Sequence, residues 1–93
     1  MFVGTLQIEL YLPGCLSLKE KRFALQSLKT RLRNKFNVSV AEVEYLDKWQ
    51  RTVIACAVVS NEKKHVDSML NNIFQFVDQD THSEIIEHLR EVF

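Results

Sequence analysis

Backbone breakers are scarce in this sequence, which has 2 Gly and 1 Pro in 93 residues. That scarcity excludes a flexible linker, a low-complexity tract and a repeat array. It leaves one domain over residues 1–93, enough chain for one modest core. There is no apolar run long enough to span a bilayer. Leu-Pro-Gly-Cys at 12–15 loosely matches a lipoprotein processing site. However, no Lys or Arg precedes Cys15, and Gln7 and Glu9 interrupt the segment before it. The expectation is therefore a cytoplasmic chain with no membrane partner. Cysteine is nearly absent too. Cys15 and Cys56 lie far apart in unlike contexts and read as reduced thiols rather than a disulfide. His65, His82 and His88 have no ligand spacing and no cysteine beside them, so neither a zinc site nor any other cofactor is expected.

What is present is periodicity. Leu6, Ile8, Leu10 and Leu12 alternate with Thr5, Gln7, Glu9 and Tyr11, which predicts a half-buried strand over 5–12, ended by Pro13-Gly14. Ser17-Leu18-Lys19-Glu20 fits a capping box, in which the Ser oxygen accepts from the Glu20 N–H and the Glu carboxylate reaches back to the Ser17 N–H. Leu18, Leu25, Leu28, Leu32 and Phe36 then recur at helical spacing to about Lys35. Ser17 is thus a cap rather than a nucleophile, since no His lies near it in sequence to act as a base.

A second strand is expected over 37–46. Its apolar phase slips between Val38, Val40 and Ala41, Val43, Tyr45, which suggests a bulge near Val40-Ala41 or apolar contacts on both faces. After a turn at Asp47-Lys48, "QRTVIACAVVS" is apolar throughout its middle and reads as a central strand covered on both faces. A second helix starts at Ser60 or Asn61, with Val66, Met69, Leu70, Ile73, Phe74 and Val77 on one face. The tail "SEIIEHLREVF" fits a helix capped by Ser83 on propensity. The preceding order of elements asks for a strand instead. The predicted architecture is α+β: a ferredoxin-like βαββαβ sandwich, four antiparallel strands with two helices on one face.

Formal charge is zero, but it is unevenly spread. Lys19, Lys21, Arg22, Lys29, Arg31, Arg33 and Lys35 face a single acid, Glu20, within 19–35, a local net of +6. Arg22, Lys29 and Arg33 fall in one stripe beside the leucines, and Phe23 lies on the solvent side. Clustered cations gain by releasing counterions from nucleic acid. The plainer reading is a solvated helix face, yet few acids stand at i+4 to pair with these cations. The helix N-terminus resembles the anion loop of acylphosphatases only weakly, since a Gly-rich loop ending in Arg is missing. RNA stacking on the sheet, as in RNA-recognition motifs, lacks its aromatics, because the third strand carries Val, Ile, Ala and Cys with no aromatic, and Tyr11 stands alone on the first. An apolar open sheet face is better explained by a homodimer. Glu42 and Glu44 alternate, so they are expected on one face, a pattern common on solvent-facing strands.

"SLKEKR" (17–22), "FNVSVAEV" (36–43), "DKWQR" (47–51) and "AVVSN" (57–61) resemble the YlxP-like family of small bacterial proteins, across essentially the whole chain. The resemblance implies a ferredoxin-like fold closed by a final strand. It also implies a bacterial cytoplasmic protein, often encoded near translation and ribosome-maturation factors, with no established enzymatic activity. The family-motif positions are Ser17, Glu20, Glu42, Asp47, Trp49 and Gln50. Glu42 is free to pair with a basic residue, Trp49 to seal the end of the core, and Gln50 with Arg51 to fix the turn. The expected nucleic-acid contacts are Lys19, Lys21, Arg22, Lys29, Arg33 and Arg51. The leading expectation is a non-enzymatic domain associated with RNA or the ribosome. Alternatives are a small-molecule-binding regulatory domain and a dimeric adaptor.

Overall fold

The computed structural model describes all residues, 1–93. Its elements run β1 (Phe2–Tyr11), α1 (Leu18–Lys35), β2 (Ser39–Glu44), β3 (Arg51–Ser60), α2 (Lys63–Asp78) and β4 (Glu84–Val92). The strands pair in the order β2-β3-β1-β4, and every pairing is antiparallel. This is the ferredoxin-like α+β fold. The tail is a strand because it pairs with β1, a tertiary term that overrides its helical pattern. Ser83 therefore caps nothing, and its hydroxyl donates to Asp80.

Alternation sorts the sheet into two faces. Leu6, Ile8 and Leu10 of β1, and Ile54, Cys56 and Val58 of β3, are buried in the core. Leu25, Leu28 and Leu32 of α1 and Val66, Leu70, Ile73 and Val77 of α2 meet them there. Thr5, Gln7 and Glu9, and Val53, Ala55, Ala57 and Val59, take the opposite phase and form an open face. The expectation that β3 is covered on both sides holds fully for the helix side; on the other side Val53 is buried, Ala55 and Ala57 are half-buried and Val59 is exposed.

The strand ends differ from expectation for local reasons. β1 begins at Phe2 because Val3 and Phe93 exchange both backbone hydrogen bonds (3.0 and 2.8 Å). β2 is shorter than its apolar pattern, and its bulge lies between Glu42 and Glu44 rather than at Val40-Ala41. The extra residue, Val43, throws Glu42 and Glu44 onto different faces, so the two acids do not share one. α2 starts at Lys63, later than expected, because Ser60 accepts from the Glu62 N–H in the turn before it.

Helix α2 packs closely on β1 at Gly4. A Cβ there would lie 2.3 Å from Val66 Cγ1 and 3.0 Å from Leu70 Cδ1. Val66 is β-branched and buried, so it cannot swing away, and the helix itself would have to move. Gly4→Ala is expected to cost about 1–3 kcal/mol, read as a lower urea midpoint.

Both cysteines are free and buried. Desolvation pushes the Cys56 thiol from its ordinary value of 9.0 up to about 11. Cys15 is shifted the same way, first by burial and then by the charge of Glu20. The fold thus prefers protonated Cys56. Stability from this source is complete below pH 9 and is lost as pH climbs through 11, because the unfolded chain ionises first. Wild type should lose on the order of 2 kcal/mol more than Cys56→Ala between pH 8 and 11, measured by urea unfolding at each pH.

Candidate nucleic-acid interface on the first helix

Helix α1 starts where the capping box predicts. Ser17 Oγ accepts from the Glu20 N–H at 3.1 Å. The Glu20 carboxylate, however, accepts from the Leu16 N–H at 2.7 Å rather than from Ser17. The return bond lands one residue early, which ties the loop after Cys15 to the helix.

One face of α1 buries Lys21, Leu25, Leu28 and Leu32. Lys21 is the correction the structure makes to the expected basic surface. It is 1% exposed. Its Nζ pairs with Glu42 Oε2 at 2.7 Å and donates to the Tyr45 carbonyl at 2.5 Å. Thr52 Oγ1 donates to the same Glu42 oxygen at 2.7 Å. No buried side-chain polar atom is left without a partner. Lys21 is a core residue and is unable to reach a phosphate. Tyr45 has φ 62°, a left-handed conformation that a non-glycine residue adopts at a cost of about 1 kcal/mol. Its carbonyl accepts from both Lys21 and the Lys48 N–H, which holds the turn in place.

The other cations of α1 divide by flank. Arg33 Nη2 donates to the Val40 carbonyl at 3.0 Å, so the stripe of Arg22, Lys29 and Arg33 runs beside the edge strand β2. Lys19 stands one turn before Arg22, on the solvent side with Phe23 and Gln26. Arg31 lies on the flank toward α2, 4.0 Å from Asp80, and Lys35 sits over the rings of Phe36 and Phe76. Lys19, Arg22, Lys29, Arg33 and Lys35 take part in no ion pair. Phe23 is 79% exposed on the outer surface, as its position on the helix predicts.

Arg51 does not join this stripe. Its Nε donates to Glu9 at 2.8 Å, its Nη2 bonds the same carboxylate, and its guanidinium stacks on Tyr45. It therefore lies with Glu9 on the open sheet face. Donating to the Glu9 carboxylate raises the Arg51 pKa further. Trp49 does not seal the core, being 53% exposed at the hairpin tip. Asp47 is exposed beside it. Gln50 does fix the turn, through Nε2 to the Pro13 carbonyl and its own carbonyl to the Leu12 N–H. Sequence reasoning missed that Glu9 is the partner of Arg51. Only the β1–β3 register reveals it, since 42 residues separate the two.

A groove of about 470 Å³ opens on the other flank of α1. Pro13, Cys15, Phe23, Leu28, Arg31 and His82 are among the residues around it. No three His, Cys, Asp or Glu side chains converge as metal ligands. No helix is long and apolar enough to cross a membrane.

Residues 3–90 match the family described as "Protein of unknown function (DUF503)". The chain is 40% identical over 76 residues to a Bacillus subtilis (strain 168) protein described as "Uncharacterized protein YlxP". That match covers 82% of this chain and 83% of the relative. The chain belongs to this family of unknown function.

The Lys21–Glu42 pair gives a direct test of the buried network. Lys21→Met alone should destabilise by about 2 kcal/mol, because it leaves the half-buried Glu42 carboxylate with Thr52 as its remaining donor. Lys21→Met/Glu42→Leu should recover much of that loss. Urea denaturation of the two variants makes the comparison.

Proposed function

We propose that this chain is a non-enzymatic RNA-binding domain whose target is ribosomal RNA, carried free or within a ribosomal subunit, and that α1 makes the contact. The observation that supports this reading is that Lys19 and the stripe of Arg22, Lys29 and Arg33 take part in no ion pair, Arg33 being held only by the Val40 carbonyl. Arg22 to Arg33 spans about 16 Å of helix, long enough to follow several phosphates. The stripe has no aromatic ladder along it, so recognition is by backbone charge and shape rather than base stacking. The ribosomal half of the reading comes from the resemblance described above, not from the geometry.

A second reading has an observation of its own. The 470 Å³ groove has an apolar floor, the exposed ring of Phe23 at its rim, and the guanidinium of Arg31 held only by a loose contact to Asp80. Glu20 and Asp80 also line it, so the ligand would be a planar anion able to take Arg31 from Asp80. A thermal shift with nucleoside monophosphates that is lost in Arg31→Ala would favour it.

The RNA reading is tested by co-sedimentation with bacterial ribosomal subunits over a salt series. Four phosphate contacts give a slope of log K against log salt of about −3. Lys29→Glu/Arg33→Glu should abolish binding, while Lys63→Glu/Lys64→Glu, an equal change of charge on α2, should leave most of it. Absence of binding at low salt, or equal losses in both double variants, would reduce the stripe to a solvated surface.

A further inference from the structure

The open sheet face reads as ordered rows across the strands. At one end Val59, Val3 and Phe93 form an apolar row. Next come Ser39, Ala57, Thr5 and Glu91, then Ala41, Ala55, Gln7 and Leu89. The fourth row holds Glu44, Val53, Glu9 and Glu87, and the last Arg51, Tyr11 and Glu84. The large side chains therefore stand on β4 and the small ones on β3. Val59, Leu89 and Phe93 are 60, 56 and 67% exposed. A shallow trough of about 440 Å³ lies over Ala41, Ala55 and Ala57.

We propose that a second copy of this chain covers this face, with the two-fold axis running along β1. Face-to-face packing of two copies needs an axis lying between the sheets, and charge and size select among the choices. An axis across the strands would lay the Val59–Phe93 row on the Arg51–Glu84 row, burying charge against hydrocarbon. An axis between β1 and β3 would lay Glu87 on the partner's Glu44, like charge on like. An axis along β1 maps β4 onto the partner's β3, row by row. It also sets Glu87 over the partner's Val53 and Glu91 over the partner's Ala57, but β4 is an edge strand, so both carboxylates keep a path to water that a central row would lack. Leu89 then meets the partner's Ala55, and Phe93 meets the partner's Val59. Large side chains enter the small-residue trough, the interdigitation that packed sheets require. Glu84 meets the partner's Arg51, twice by symmetry, so the charges are complementary.

The two Glu9 side chains approach one another across this axis, but each is already bonded to its own Arg51. Glu44 falls on the uncovered β2. Three strands of nine or ten residues bury on the order of 1,200 Å² in all, the lower end of specific interfaces. The expected dissociation constant is about micromolar. The face lies opposite α1, so this inference is independent of the RNA reading.

Sedimentation velocity between about 1 and 100 µM decides it. The expected result is a concentration-dependent species of twice the 10.9 kDa chain mass. Leu89→Lys and Ala55→Glu, both surface changes, should each yield monomer with unchanged circular dichroism. Glu84→Arg should raise the dissociation constant at least tenfold. A wild-type monomer across the whole range overturns the proposal, as does a dimer indifferent to Leu89→Lys and Ala55→Glu. The axis has its own readout. Gln7→Cys lies on it and should be linked to its copy by a short bismaleimide, whereas Ala41→Cys on β2 should not. Native Cys15 and Cys56 are buried and stay silent. Linking through Ala41→Cys but not Gln7→Cys overturns the stated packing.

Discussion

The pair of buried Lys21 and half-buried Glu42 is the constraint on which the rest of the structure depends. It is a contact between α1 and an edge strand, made by two charges that water would otherwise hold apart. Its geometry is complete: the ammonium has a carboxylate and a carbonyl, and the carboxylate has an ammonium and a hydroxyl. A pair so satisfied specifies rather than merely stabilises, because any other register of α1 on β2 would leave a charge unpaired. It also accounts for the bulge. Without Val43 as an extra residue, Glu44 would share the face of Glu42 and direct a second acid toward the helices. The bulge returns Glu44 to the open side and leaves the Tyr45 carbonyl within reach of Lys21.

Much of this fold is legible in the sequence. The apolar spacing of Leu25, Leu28 and Leu32 and of Val66, Leu70, Ile73 and Val77 identifies both helices, because burial there follows a single 3.6-residue period. The cap at Ser17 is legible because it is local. The tail is not legible from its own residues, whose pattern suits either state. Only pairing with β1 decides it, and pairing is a property of the whole sheet. The bulge lies two to three residues beyond Val40-Ala41 for a similar reason. Apolar phase reports burial, and Val43 is apolar yet 44% exposed.

The site is legible in outline and wrong in detail. Composition locates the cations on one helix, but it does not say which of them face water. Lys21 lies on the leucine face by helical geometry, in phase with Leu25, Leu28 and Leu32. A lysine at such a position signals a buried partner, and Glu42 is that partner. Arg51 is the converse case. It is charged and exposed, but the strand register commits it to Glu9 and Tyr45 on the far side of the sheet. The useful sequence rule is that a cation within the apolar phase of a helix should be removed from any proposed binding surface before charges are counted.

That subtraction sharpens the charge asymmetry rather than dissolving it. With Lys21 neutralised internally, the remaining stripe stands on the helix layer, while Glu44, Glu87 and Glu91 stand on the sheet layer. A polyanion is therefore attracted to one side of the molecule and repelled from the other. The two surfaces do not compete for the same partner. If the sheet face is closed by a second copy, Glu44 stays outside the seam on β2, and the two α1 stripes point away from each other. A single short duplex could not touch both stripes, because two full sandwiches would separate them. Two-point attachment would then require an RNA that bends around the pair or a particle with two separated sites. The gain in avidity from pairing would depend on that geometry rather than on charge alone.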